Sequence, residues 1–323
     1  MRLLTSVVAM LCIDATLILP SLSAHGEEFP SRGIKIISPH PPGVATDVLG
    51  RALAQNLAES LGVPVIVEDR PGANGIIAAG TVAKADPDGY TILITSGSHI
   101  ANAFTTKNLP FDVLKDFVPV TQLAASYGLA LITNLPVKNV QELVALAKSK
   151  PGQLTYATNG VGNITHIAGL LFDARNGTKM TPVPYNTPNL TNDVVAGTVD
   201  MTFFSAAGAT PLVRAGKIKA LAITGPRRDP DLPDVPTLQE QGYPDFDVTG
   251  YFGLLVPANT SRDRVNKIAQ ESATAMKSPD LQKFLAGSGM YFVDSGPEQF
   301  AAFLKRDYDY QDKLMAELGL KVQ

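Results

Sequence analysis

The stretch IKIISPHPPGVATDVLGRALA, residues 34–54, decides how the rest of the chain is read. An apolar run from Ile34 to Ser38 breaks at Pro39, Pro41, Pro42 and Gly43, and leucines then return at 49, 53, 57 and 61 with helical period. The pattern is a strand, a tight loop and a helix. Thr46 and Asp47 stand at the helix start, where the first backbone N–H groups have no partner inside the helix. Such a start attracts an anion without needing a lysine or arginine. The same design returns in LTYATNGVGNITHIAGLLF, residues 154–172. Two anion cradles in one chain predict a cleft between two lobes that grips a carboxylate.

Strand and helix patterns alternate through the remainder. Short apolar runs at 65–67, 90–95, 120–125, 129–133, 154–157, 183–185, 199–204, 218–224 and 251–256 read as strands. Helices are expected at 76–84, 139–149, 164–175, 261–275, 280–286 and 297–318, the last with Phe300, Phe303, Leu304 and Tyr308 packed into a core. Alternation of this kind predicts an α/β fold whose mainly parallel sheets are covered by helices. Ligands then bind beyond the carboxyl ends of the strands.

The first residues have the form of an export signal. Arg2 precedes an apolar stretch from Leu3 to Leu19, and Pro20 to Ala24 supply small residues for cleavage after Ser23 or Ala24. The one cysteine, Cys12, lies inside this leader, so the mature chain is expected to have no disulfide, thiolate metal site or thiol nucleophile. The 323-residue chain carries 27 basic and 30 acidic residues. Removal of residues 1–23 takes one of each, Arg2 and Asp14, and leaves the balance acidic. No basic stripe suits a nucleic acid, and no later stretch is long and apolar enough to span a bilayer. The expected product is a periplasmic protein.

Several segments together resemble the Bug-type extracytoplasmic solute receptors, the binding proteins of tripartite tricarboxylate transporters. They are FPSRGIKIISPHPPGVATD (29–47), EDRPGANG (68–75), DPDGYTILI (86–94), HIAGLLF (166–172), PVPYNTPNLTNDVVAGTVDM (182–201), VRAGKIKALAITGPRRDPDLPDVPTLQEQGYP (213–244) and GLLVPANT (253–260). The resemblance implies a two-lobed type II periplasmic binding protein fold, with lobe one at 28–130 plus 252–323 and lobe two at 131–251. It further implies a monomer without a cofactor or metal, which takes up a small carboxylate and serves integral-membrane transporter subunits. Mapped onto this sequence, the ligand positions are Gly43, Ala45, Thr46 and Asp47 in lobe one. Asn159, Gly160, Asn163, Thr165 and His166 face them from lobe two, with Tyr185 and the strand end at Phe204 and Ser205 closing the pocket.

Three departures from the family pattern bear on specificity. Val44 stands where a second glycine is common, and Tyr251-Phe252 where a tryptophan usually precedes GLLVPANT. Phe204 replaces an aspartate often found at that strand end. Loss of the carboxylate and gain of a ring predict a ligand without an ammonium group, with an apolar or aromatic body and one or two carboxylates. Phe203 and Phe204 alternate, so at most one reaches the cleft and both could be core.

Other readings attach to single motifs. Ser96-Gly97-Ser98-His99 reads as a loop after strand 90–95 that either lines the cleft through Ser96 and Ser98 or is a plain connection; a serine hydrolase built on Ser98 and His99 would lack the G-x-S-x-G elbow. The run from Gly160 to Thr165 is a shortened dinucleotide fingerprint without its third glycine. His40, His99 and His166 have no metal-ligand spacing. A sensor feeding a histidine kinase would use the same cleft as a transport receptor.

Overall fold

The computed structural model describes residues 29–160, 163–185 and 190–320. The expected leader, together with Val161, Gly162 and residues 186–189 of the turn expected after Tyr185, lies outside them. The chain first lays down β1 (Ile34–Ser38), β2 (Val65–Asp69), β3 (Thr91–Ser96) and β4 (Phe117–Ser126). It then builds a second sheet from β5 (Leu129–Thr133), β6 (Thr155–Thr158), β7 (Thr181–Pro184), β8 (Met201–Ser205) and β9 (Lys219–Ile223). Finally it returns to the first sheet with β10 (Tyr251–Pro257) and β11 (Met290–Phe292). The strand orders are β11-β4-β10-β3-β1-β2 and β7-β6-β8-β5-β9.

Each sheet is mixed rather than mainly parallel. The βαβ units give parallel pairing of β2, β1 and β3 in one sheet and of β7, β6 and β8 in the other. Strands β5 and β10 arrive from the opposite lobe instead of over a covering helix, and both pair antiparallel with their neighbours. The expected lobe boundary between 130 and 131 falls inside β5, all of which pairs with β8 in the second sheet.

The helices are α1 (Ala45–Leu61), α2 (Ile76–Ala83), α3 (Ser98–Thr105), α4 (Val140–Ser149), α5 (Ile164–Asn176), α6 (Leu190–Ala196), α7 (Ala206–Arg214), α8 (Arg262–Ala275), α9 (Pro279–Gly287) and α10 (Pro297–Glu317). On α1, Leu49, Leu53 and Leu57 face the first sheet, and Gly62 closes the helix in the left-handed region with its N–H on the Ala58 carbonyl. On α5, Ala168, Leu171 and Phe172 join Tyr156, Phe203 and Phe246 in the core of the second lobe. Each leucine or phenylalanine withdrawn from water in this way contributes about 1.5–3 kcal/mol. Three helices, α3, α6 and α7, are not among those expected from the sequence; Ser96 to His99 read as a loop although Ser98 opens α3, and α7 carries Pro211.

Two crossovers join the lobes between β4 and β5 and between β9 and β10, and polar side chains tie them together. Ser126 and Gly250 exchange two bonds, Ser126 N–H to the Gly250 carbonyl at 2.8 Å and Gly250 N–H to Ser126 Oγ at 2.9 Å. Thr224 Oγ1 accepts from Leu129 N–H at 2.7 Å and donates to the Val248 carbonyl at 2.7 Å. A side chain at Gly225 would start 2.1 Å from the Tyr127 carbonyl oxygen, so only glycine fits this crossing. The last helix also spans both lobes. Phe300, Leu304 and Met315 of α10 pack in lobe one, while Leu314 packs in lobe two and Glu317 pairs with Arg175 at 2.6 Å.

Candidate functional site

A cavity of about 430 Å³ lies between the lobes, above the crossovers and beside α10. Lobe one supplies Asn74, Ser96 and Ser98; lobe two supplies Asn163, Ile164 and Ile167. Thr249 and Gly250 come from the crossover, Tyr251 and Phe252 from the start of β10, and Asp307, Gln311 and Leu314 from α10. Ser98 opens α3 and Asn163 caps α5, so two helix starts from different lobes reach one cavity. Ser96 Oγ and Ser98 Oγ lie 3.0 Å apart and share a hydrogen bond.

Asn74 enters this site on a backbone of uncommon shape. Gly72, Ala73, Asn74 and Gly75 follow one another with positive φ, Asn74 at φ 54° and ψ 34°. Asn102 holds it there: Asn74 Nδ2 donates to Asn102 Oδ1 and Asn102 Nδ2 to the Asn74 carbonyl, both at 3.0 Å. Non-glycine residues in this conformation cost of order 1–3 kcal/mol and persist where surroundings over-determine them.

Among the ligand positions expected from the sequence, Ser96, Ser98 and Asn163 line the cavity, and Tyr251 and Phe252, noted as a departure from the family pattern, line it as well. The first cradle does not line it. Asp47, 2% exposed, accepts from Gly43 N–H at 2.7 Å and pairs with Arg51 at 2.6 Å, and Arg51 in turn pairs with Asp69 at 2.6 Å. Thr46 is buried with its hydroxyl 2.7 Å from His40 Nδ1. Burial pushes the His40 pKa down. Gly43 and Ala45 are exposed, as is Val44 at 41%.

The second cradle is knotted on itself by neutral groups. Asn163 Oδ1 accepts from Thr165 N–H at 3.1 Å, and Thr165 Oγ1 accepts from Asn159 N–H at 2.9 Å. Gly160 sits at φ 106° and donates its N–H to Thr158 Oγ1 at 3.2 Å. His166 is buried against the Tyr156 ring, centroids 6.4 Å apart, and burial lowers its pKa. Tyr185 donates to Asp193 Oδ2 at 2.6 Å; burial and this carboxylate push its phenol up to about 12.

Phe203 is sealed in the core between Phe172 and Phe246, while Phe204 lies on the other face of the sheet against α7, Val183 and Tyr185. Ser205 is exposed at the start of α7. His99 points away from Ser98 into lobe one, its Nε2 bonded to the Val113 carbonyl at 2.9 Å between Phe111 and Phe117. Burial lowers its pKa to about 4. A neutral imidazole committed to a backbone carbonyl is in no position to take a proton from Ser98.

Sequence reasoning passed over Asp307. On α10, Phe300, Phe303, Leu304, Asp307, Gln311 and Leu314 follow helical spacing, so an acid stands in an otherwise apolar stripe. An acid at such a position is a signal for a polar cavity or partner. Its pKa rises to about 6, chiefly through burial and further through the charge of Asp247. Among the described residues no group of three or more His, Cys, Asp or Glu could hold a metal ion, and no helix is long and apolar enough to cross a membrane.

Residues 49–320 match the family described as tripartite tricarboxylate transporter family receptor. The protein BugT of Bordetella pertussis is 32% identical over 302 residues, covering 92% of each chain. A solved TctC solute binding protein from Polaromonas, without ligand, is 27% identical with a TM-score of 0.80 over 90% of this chain and 99% of its own. The solved R. palustris protein Rpa4515, bound to adipate, is 29% identical with a TM-score of 0.72 over 90% and 99% of the two chains. With a family match across most of its length and two lobes around a common cavity, the chain belongs to the Bug-type receptors of the tripartite tricarboxylate transporter family.

Proposed function

We propose that the protein is a periplasmic solute receptor that captures a small carboxylate between its lobes and delivers it, as a monomer, to the integral-membrane subunits of a tripartite tricarboxylate-type transporter. The observation that carries this reading is the convergence of Ser96, Ser98 and Asn163, from two helix starts in different lobes, on a cavity that, among the described residues, is lined by no lysine or arginine. Hydroxyl and amide donors at helix starts stabilise a carboxylate without a fixed cation. Ile164, Ile167, Phe252 and Met290 form an apolar wall suited to an aliphatic or aromatic body. A ligand touching both lobes favours the closed arrangement over any open one, a population shift with no chemical step.

Calorimetric titration of the mature protein with aliphatic, hydroxylated, aromatic and amino-substituted carboxylates tests this. A ligand at 100 times its dissociation constant adds about 2.7 kcal/mol of stability, so a thermal shift reports the same event. Saturable binding by one class of carboxylate is the expected outcome; a folded protein that binds none overturns the proposal.

A further inference from the structure

Lobe one presents the cavity with an amide whose orientation is fixed by the groups behind it. Asn102, 2% exposed, lies on α3 one turn after Ser98, so the two side chains share a helix face. Its Nδ2 donates to the Asn74 backbone carbonyl at 3.0 Å. A carbonyl only accepts, so Asn102 turns its nitrogen there and its Oδ1 towards the Asn74 side chain. That oxygen also only accepts, which commits Asn74 Nδ2 to it at 3.0 Å. Asn74 Oδ1 is therefore the atom turned away from Asn102, and among the described residues it has no hydrogen bond. The Asn74 side chain is exposed and lines the cavity.

The same amide stands beside the serines. A methyl on the adjacent Gly75 would lie 3.9 Å from Ser98 Oγ. The Ser96 and Ser98 hydroxyls, 3.0 Å apart, place one proton between them and keep one to donate. The point that offers a donor to a carboxylate is thus flanked by an acceptor, which turns donor only by breaking both bonds to Asn102. A methylene beside the bound carboxylate leaves Asn74 Oδ1 unused. A hydroxyl on the carbon next to the carboxylate meets it. An ammonium is the poorer match, because a neutral amide oxygen offsets little of the cost of withdrawing a charge from water.

We propose that Asn74, positioned by Asn102, is a specificity residue that favours carboxylates bearing a hydroxyl on carbon 2 over the same acids without it. The inference rests on the reading that Ser96, Ser98 and Asn163 hold the carboxylate. It is tested by calorimetry of the mature protein with butyrate, hexanoate, phenylacetate and succinate, each beside both enantiomers of its 2-hydroxy counterpart. For a carbon skeleton that binds, one 2-hydroxy enantiomer should bind about fivefold more tightly than the parent acid, the scale of one net hydrogen bond. Asn74→Gly removes the amide and suits the positive φ at this position, and it should bring that ratio to about one. A weakening common to both acids cancels in the ratio. Asn102→Ala, which frees the Asn74 amide to turn, should shrink the ratio about twofold, an effect that loss of packing alone would not produce. The wild-type pairs decide the matter if neither variant folds. A parent acid that binds as tightly as both of its 2-hydroxy enantiomers, or a ratio that survives in Asn74→Gly, overturns the inference while leaving the receptor reading intact. Failure of every acid to bind overturns both.

Discussion

The two strand–loop–helix units look like copies in sequence, yet the folded protein secures them by different physics. In lobe one the loop is locked by charge, through Asp47, Arg51 and Asp69, and α1 starts at Val44 without a side-chain cap. In lobe two it is locked by neutral side chains, Asn163 and Thr165, around a capped α5. The helices also sit differently on their sheets. Both carry glycine at their sixth residue, Gly50 and Gly169. A methyl at Gly50 would find ordinary contact, Ile94 at 3.6 Å, whereas one at Gly169 would start 2.1 Å from the Tyr156 ring. A repeated motif therefore fixes the local chain path, while tolerance to change depends on what lies beneath.

The largest difference between the lobes is expected in acid. His99 of lobe one has a folded pKa of about 4 against 6.5 unfolded. The unfolded chain binds the extra proton first, so the stability held by the neutral ring is complete above pH 6.5 and drains as pH falls towards 4. The full loss is about 3 kcal/mol. Denaturant titrations from pH 7.5 to 4 should show this slope, and His99→Gln should flatten it. An unchanged slope in that variant would place the acid sensitivity elsewhere.

Gly169→Ala comes next, with an expected cost of about 2–3 kcal/mol from overpacking against a buried ring. Gly50→Ala should instead gain about 0.5 kcal/mol from helix propensity. If urea midpoints move equally for the two, the contrast in helix seating is wrong. Asp47→Ala should cost about 2 kcal/mol, because the Gly43 N–H loses a charged acceptor and Arg51 loses half of its pairing. The effect should persist in high salt, since Asp47 is buried. Asn163→Ala, which removes a neutral cap, should cost about 1 kcal/mol. Equal costs at the two cradles, or a salt-sensitive loss at Asn163, would erase the distinction between a charged and a neutral lock.

Ser96, Ser98 and Asn163 stood out in the sequence because each lies at the junction between a strand and the segment that follows it, a position set locally. The sequence could not place Asn74, whose conformation depends on Asn102, 28 residues away. Nor could it foresee that Thr46, Asp47 and His166 turn inward, since hydrogen bonding and ring stacking decide that after the chain has closed. Asp307 was within reach as an acid in the apolar stripe of α10, but its neighbours Asp247 and Tyr251 come from another part of the chain.

By itself the sequence determined the alternation of strands and helices, the two matching cradles and the family. The first two follow from apolar period, turn residues and short-range spacing, which act along the chain; the family follows from the resemblance of whole segments such as 182–201 and 213–244. Only the tertiary structure decided the mixed sheet order, the bridging course of α10 and which acids reach the cavity. Each of these joins residues more than a hundred positions apart in sequence or depends on which face of an element is covered, and neither is set until the two lobes have packed.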